Sequence, residues 1–523
     1  MRKIPTVHRR DMTGFLWAGL SGLLLTFSFP NFDLEWAAWF ALVPLLHSVK
    51  DLGWSGGFRL GFICGLVHYL TLLYWLVHTM RTYGHLPIYL AVPLLFLLAA
   101  YLALFIGLFS ATAAAVNSPA LMAAVLPLLW VSLEYIRSFL FSGFPWELLG
   151  YAQFRNLHLI QISDIVGVFG ISALTVLVNT AILIVLLQWK RRTWRGTPVN
   201  GRLTATYTAL TLVFLGLTFS YGIHRKAEVD RRIATAPKTR VAVVQGNISQ
   251  EVKWKSAYKK RHTQKYIDLS FSAIADRADL VVWPETAVPF YFQHDRTLTD
   301  QVVRGVRQTA AHFLIGSPSF MRRDDEVDYY NSAFFIHPLG KVAGRYDKVH
   351  LVPYGEYVPL KQWLPFVDKI VEQVGDFKTG AAGEVLVSED YRLGVLICYE
   401  GIFPNLSAAM ARNGARLLVN ITNDAWYGAT SAPYQHFSMA VFRAVENRRV
   451  LIRSANTGIS GFIDPAGRIM GTTPLFEDAV MTREVPQLDI LTVYSRHGDW
   501  FARLCLGLTF ILITFHVYRR KNQ

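Results

Sequence analysis

The sequence predicts an α-helical polytopic membrane bundle of about eight spans that carries a layered α/β domain. Three observations lead there. Of the 523 residues, 52% are hydrophobic and only 17% are charged, against about 25% charged in an ordinary soluble domain. The apolar residues gather into runs of membrane-spanning length toward both ends of the chain. Between about residues 238 and 486, charges become frequent and short β-rich runs alternate with amphipathic stretches. The length also exceeds that of a single domain of ~150 residues.

A helix needs ~20 apolar residues to cross a bilayer. Residues 12–32 form the first such run; with no clear cleavage site after it, the segment reads as a retained anchor and not a removed signal. Residues 61–80 form another. No Asp, Glu, Lys or Arg lies between Arg81 and Glu134, room for two spans broken at Asn117-Ser118-Pro119. Residues 165–189 and 204–223 each fit one span. Residues 504–518 form a short last one, which Trp500 and Phe501 extend at the interface. Residues 36–49 are shorter than a usual span. They are counted as a crossing because of charge. The net charge of +15 is concentrated beside the apolar runs, at Arg2, Lys3, Arg9 and Arg10, at Lys190, Arg191, Arg192 and Arg195, and at Arg519, Arg520 and Lys521. Basic flanks stay on the cytoplasmic side. All three clusters share that side only if the number of spans is even. The expected organisation is therefore seven helices in residues 1–223, an extracytoplasmic domain in 224–498, and an eighth helix with a basic cytoplasmic tail in 499–523. Because the basic residues are accounted for in this way, no nucleic-acid partner is expected.

Within the inserted domain, residues 241–244, 280–283, 313–316, 333–336, 395–398 and 417–420 read as strands, and 258–277 and 298–311 as helices. Strands alternating with helices predict a layered α/β unit. Three reactive side chains stand at or just beyond strand ends, where α/β folds commonly hold ligands. Glu285, in Trp283-Pro284-Glu285-Thr286-Ala287, is either a turn residue or a general base. Lys348 is either a solvated cation or a fixed ammonium able to hold an oxyanion. Cys398 ends an apolar strand and is either a buried spacer or a nucleophile. The other cysteines, Cys64 and Cys505, lie in apolar runs, so no disulfide framework is expected. His350 lacks the paired spacing of a metal site, and neither a metal nor a nucleotide motif is seen, so no cofactor is expected.

Taken together, WPETA, YDKVHLVPYGEYVP and GVLICYEGIFP resemble the Glu-Lys-Cys constellation of the nitrilase superfamily. The embedding between membrane helices resembles its apolipoprotein N-acyltransferase branch. FSFPNFDLEWAAWFALVPLL, GFRLGFICGLVHYLTLLYWL, GFPWELLGYAQ, SDIVGVFGISALTVLVN, QGNISQEVKW and ITNDAWYG extend the likeness over nearly the whole chain. The resemblance implies a nitrilase-like α-β-β-α sandwich on a bundle in the bacterial inner membrane, facing the periplasm, with both termini cytoplasmic. It implies transfer of a fatty acyl chain from a phospholipid donor to the N-terminal amine of an apolipoprotein, through a thioester. Cys398 matches the nucleophile, Glu285 the base and Lys348 the oxyanion stabiliser. Glu356, Tyr399 and Glu400 match supporting residues, and Trp254 and Trp426 substrate-binding aromatics. Phe290-Tyr291-Phe292, with these tryptophans, reads as part of the apolar arms that touch lipid. Nothing demands more than a monomer. The alternatives are a membrane-anchored amidase using water as acceptor, and a transporter or scaffold with a silent domain.

Overall fold

The computed structural model describes residues 7–323, 326–357, 377–389 and 391–521. Arg2, Lys3 and the Val358-Pro359 end of the lysine motif lie outside them. Two compact units divide the chain: residues 1–224 with 499–523, and residues 225–498.

The first unit is helical: α1 (Val7–Phe27), α2 (Val43–Val49), α3 (Trp54–Leu72), α4 (Trp75–Thr82), α5 (Ile88–Ala115), α6 (Pro119–Arg137), α7 (Ser163–Trp189), a small hairpin of β1 (Thr193–Trp194) and β2 (Thr197–Pro198), α8 (Gly201–Thr235) and a C-terminal helix, Trp500–Lys521. Among the described residues, four helices are long and apolar enough to cross a membrane, in residues 88–115, 119–137, 160–189 and 201–235. A fifth crossing results if α3 and α4, bent by 53° at their junction, count as one span. Two shorter apolar helices occupy residues 12–27 and 500–515.

The expected span at residues 36–49 is not one helix. It breaks into a 3-10 turn, Glu35–Trp39, and the seven-residue α2, which begins at Val43-Pro44. Seven residues of α-helix rise only ~10 Å, so α2 alone does not cross. Eight continuous spans are thus not what the helices form. Small residues set the closest packing in this unit. A Cβ at Gly61 would lie 2.5 Å from the Ile106 carbonyl oxygen and 2.4 Å from Ser110 Cβ, so α3 and α5 approach backbone to backbone. Ionisable groups are also buried here. Glu134 Oε1 accepts the Leu149 N–H at 2.7 Å, and Arg137 donates to the Tyr69 hydroxyl.

The second unit contains two six-stranded mixed sheets. Its strands are β3 (Lys238–Gln245), β4 (Leu280–Val282), β5 (His312–Arg323), β6 (Glu326–Ile336), β7 (Val342–Asp347), β8 (Val385–Ser388), β9 (Tyr391–Ile397), β10 (Leu417–Thr422), β11 (Val450–Ala455), β12 (Gly461–Ile463), β13 (Ile469–Thr472) and β14 (Ala479–Pro486). One sheet has the order β14-β3-β4-β5-β6-β7 and the other β13-β12-β11-β10-β9-β8. Each has a parallel centre, β3-β4-β5 and β9-β10-β11, flanked by antiparallel strands. The helices are α9 (Gln250–Lys253), α10 (Ser256–Ala275), α11 (Arg296–Thr309), α12 (Pro404–Arg412), α13 (Ala432–Asn447) and α14 (Val493–His497). Helix α10 packs on the first sheet and beside α11, α12 and α13 pack on the second, and β3 faces β11 across the middle. The layers are α-β-β-α. Helix α11 starts where the Asp295 carboxylate accepts the Leu298 N–H at 3.1 Å. All six residues of β10 and of β11 are buried, the polar Asn420, Thr422, Arg453 and Ser454 included, as strands covered on both faces should be. Phe290 and Phe292, expected among the lipid-touching arms, are buried in the core beneath α10 and α11; Tyr291 alone of the three is exposed.

Candidate active site

Glu285 follows β4, Lys348 follows β7, and Cys398 follows β9. The Glu285 loop rests on β5 at Gly316, where an added Cβ would sit 2.7 Å from Glu285 Cα and 2.5 Å from the Pro284 carbonyl oxygen. Only glycine lets the loop come so close.

Lys348 is buried with two carboxylates. Its Nζ lies 2.9 and 2.8 Å from the two Glu356 oxygens and 3.7 Å from Glu285 Oε1. Asn331 of β6 ties the acids together, its Nδ2 donating to Glu285 Oε1 and Glu356 Oε1 at 2.8 Å each. Glu356 Oε2 also accepts the Val352 N–H at 2.8 Å. Burial alone would lower the Lys348 pKa, yet Glu356 and Glu285 outweigh it and keep the ammonium charged.

Cys398 lies within electrostatic reach of both Glu285 and Lys348. Burial and the Glu285 charge push its thiol above the ordinary range, against the pull of Lys348. A thiol so raised favours the neutral form. The Cys398 backbone has a φ of +52° and leads straight into a 3-10 turn, Cys398–Ile402. Glu400 braces that turn. Its carboxylate accepts the N–H groups of Ile397 at 2.6 Å, Val349 at 2.6 Å and His350 at 3.0 Å, and the Tyr346 hydroxyl at 3.0 Å. One buried acid thus fastens the lysine loop to the turn that begins at Cys398. Tyr399 is buried beside it, its ring 5.2 Å from Phe403.

Trp254, just after α9, and Trp426, in a 3-10 turn at Asp424–Tyr427, are partly exposed. Trp254 follows Lys253, which the sequence reading passed over. Lys253 is buried, donates to Thr286 Oγ1 at 2.6 Å and to the Glu285 carbonyl at 3.3 Å, and burial brings its pKa down to about 8 against the pull of Glu285 and Cys398. Asn331 was likewise passed over.

The His350 ring lies 3.8 Å from the Phe403 ring, tilted by 33°. Elsewhere, His312, His337 and Glu389 bring potential ligand atoms within 4.8 Å of one another. The Leu339 N–H donates to His337 Nδ1 at 3.1 Å, so the ring proton sits on Nε2, 2.9 Å from Glu389 Oε1. That imidazole is set to donate to a carboxylate, not to bind a metal.

A four-layer α/β unit whose strand ends present a Glu, a Lys and a Cys together defines a carbon–nitrogen hydrolase-type enzyme domain, here in a membrane protein. Residues 240–492 match the carbon-nitrogen hydrolase family, and residues 21–181 match the apolipoprotein N-acyltransferase N-terminal domain. An apolipoprotein N-acyltransferase of Geobacter metallireducens is 43% identical, covering 100% of this chain and 98% of that protein. Those of Methylococcus capsulatus and Chlorobaculum tepidum are 34% and 30% identical, covering 98% and 96% of this chain and 97% and 96% of theirs. An amidase of Nesterenkonia sp. AN1, from the nitrilase superfamily, aligns with 51% of this chain and 99% of its own at 21% identity and a TM-score of 0.38. The chain belongs to the apolipoprotein N-acyltransferase family.

Proposed function

We propose that the protein transfers a fatty acyl chain from a membrane glycerophospholipid to the N-terminal α-amine of the diacylglyceryl-cysteine of an apolipoprotein, in two half-reactions through Cys398. Glu285 takes the thiol proton and the sulfur attacks an ester carbonyl of the phospholipid. Lys348 and the Tyr399 backbone N–H hold the oxyanion. The ester C–O bond breaks, the lysophospholipid leaves with the proton from Glu285, and a thioester remains. The acceptor amine then attacks the thioester, Glu285 takes its proton, and Cys398 is released as the thiol. Splitting one hard step into two easier ones is the general advantage of covalent catalysis.

The observation that carries this reading is the buried Lys348 between Glu285 and Glu356, within electrostatic reach of Cys398. Both substrates carry acyl chains, each buried CH₂ of which contributes ~0.8 kcal/mol to staying in the bilayer, so a membrane-held enzyme need not extract them. Trp254 and Trp426, both partly exposed, are proposed to contact acyl chains or acceptor. For topology we propose an inner-membrane protein with eight passages, the broken Glu35–Val49 segment counted as one. Residues 224–498 then face the periplasm and both termini the cytoplasm, with the enzyme acting as a monomer. The match of residues 21–181 to an acyltransferase N-terminal domain disfavours an amidase on a generic anchor. The test is N-acylation of a synthetic diacylglyceryl-cysteine peptide by the purified protein in phospholipid vesicles, read by mass. N-acyl peptide and lysophospholipid should accumulate in equal amounts. Free fatty acid with no N-acyl peptide would instead indicate a hydrolase.

A further inference from the structure

Glu285 is presented by a strained turn. The next residue, Thr286, has a φ of +49°. That value lies in the left-handed region, where a β-branched residue is an outlier. Such a backbone is costly and persists only where its surroundings hold it. The Glu285 carboxylate, whose Oε1 lies 2.8 Å from Asn331 Nδ2 and 3.7 Å from Lys348 Nζ, is carried on this turn.

Two elements hold it. β5 supports it at Gly316, where an added Cβ would lie 2.6 Å from the Thr286 nitrogen. Lys253, the last residue of α9, supplies the second hold and is almost fully buried. Its Nζ donates to the Thr286 hydroxyl at 2.6 Å and to the Glu285 carbonyl at 3.3 Å. The two acceptors flank one peptide plane. A peptide unit turns as a rigid plane. For Thr286 to relax to a negative φ, the plane between residues 285 and 286 must turn, and that carries the Glu285 carbonyl away from Nζ. One ammonium therefore holds both the hydroxyl and the plane that sets the strained angle.

We propose that Lys253 is a positioning residue that pins the peptide between Glu285 and Thr286 and so aims the Glu285 carboxylate. The proposal rests on Glu285 being the base for Cys398. Two variants test it in the full-length protein in detergent. Lys253→Met keeps the buried stem and removes the donor. Lys253→Met/Thr286→Gly also removes the cost of the positive φ, because glycine rests there about as readily as at negative φ. Two rates are measured per folded enzyme: acyl-enzyme formation from mixed phosphatidylglycerol and phosphatidylethanolamine, and alkylation by iodoacetamide mapped to Cys398.

Lys253→Met should slow acylation by about 10²-fold, the usual cost of a misplaced reacting group, with the half-saturating phospholipid concentration unchanged. Its alkylation should slow as well, because the thiol loses its base. The double variant should recover about tenfold of the lost acylation rate, the larger part of that loss on a logarithmic scale. Wild-type rates per folded Lys253→Met enzyme, with only thermal stability reduced, would overturn the proposal. So would a folded double variant as slow as Lys253→Met, which would assign the effect to the lost charge or to packing. Lys253→Gln, whose amide reaches one bond less far, replaces Lys253→Met in both variants if the methionine does not fold, with the same outcomes. If the wild-type protein forms no acyl-enzyme, the functional reading fails, and the alkylation comparison still decides the role of Lys253.

Discussion

Replacing Lys348 with methionine removes the one cation between two buried carboxylates. At 2.8 Å from Glu356 and 3.7 Å from Glu285, the attractions are about 6 and about 4.5 kcal/mol at an effective dielectric constant of ~20. Desolvation opposes most of that in the intact site. Deleting one partner leaves the others stranded, and such deletions cost about 3–5 kcal/mol. Lys348→Met is therefore expected to lower the melting temperature and to slow acyl-enzyme formation by about 10²–10³-fold, the usual cost of losing an oxyanion donor. The double variant Lys348→Met/Glu356→Gln separates the two effects. With one stranded charge gone, stability should return toward wild type while acylation stays slow. Scanning calorimetry in detergent and intact-mass kinetics read the two quantities. A Lys348→Met enzyme that acylates within a few-fold of wild type would refute the reasoning, as would a double variant that recovers activity along with stability.

Three further outcomes are expected. Gly316→Ala should leave the fold intact but push the Glu285 loop off β5, so activity falls while the circular dichroism spectrum stays the same; unchanged activity would mean that the close approach does not matter. The raised thiol pKa of Cys398 keeps it protonated at neutral pH. Since the thiolate is the reactive form, alkylation should keep rising from about pH 6 to about pH 9, and a plateau below about pH 7 would mean a preformed thiolate. Asn331→Leu removes the donor shared by Glu285 and Glu356. It should cost about 1–3 kcal/mol in denaturant midpoint measurements and slow acylation, with Asn331→Asp failing to restore the rate because it adds a third carboxylate.

Glu285 and Cys398 stand out in the sequence because each ends an apolar strand run, whereas Lys348 follows the polar Arg345-Tyr346-Asp347 and stands out only with the motif around it. The support of this trio does not stand out. Glu446-Asn447-Arg448-Arg449, before β11, is a polar run with no local sign of burial. In the fold Arg443, Arg448, Arg449 and Arg453 are all fully buried. Burial of that kind depends on the second sheet being covered by α12 and α13, which no local pattern announces. Phe290 and Phe292 misled in the opposite sense: an aromatic run after a catalytic loop looks like a lipid-touching arm, yet two of the three rings fill the core. Residues 36–49 show the limit of charge parity. Parity counts crossings, whereas a continuous helix also needs an unbroken run of backbone hydrogen bonds, and the segment splits before Val43-Pro44.

The account turns on Cys398 carrying the acyl group between two lipid substrates. Intact-mass spectrometry of the protein mixed with a phospholipid of defined chains tests this directly. The expected result is a gain of one acyl mass on the peptide holding Cys398, stable in water and discharged by a diacylglyceryl-cysteine peptide. A protein that N-acylates the peptide without ever gaining that mass, or that still does so as Cys398→Ala, would contradict it.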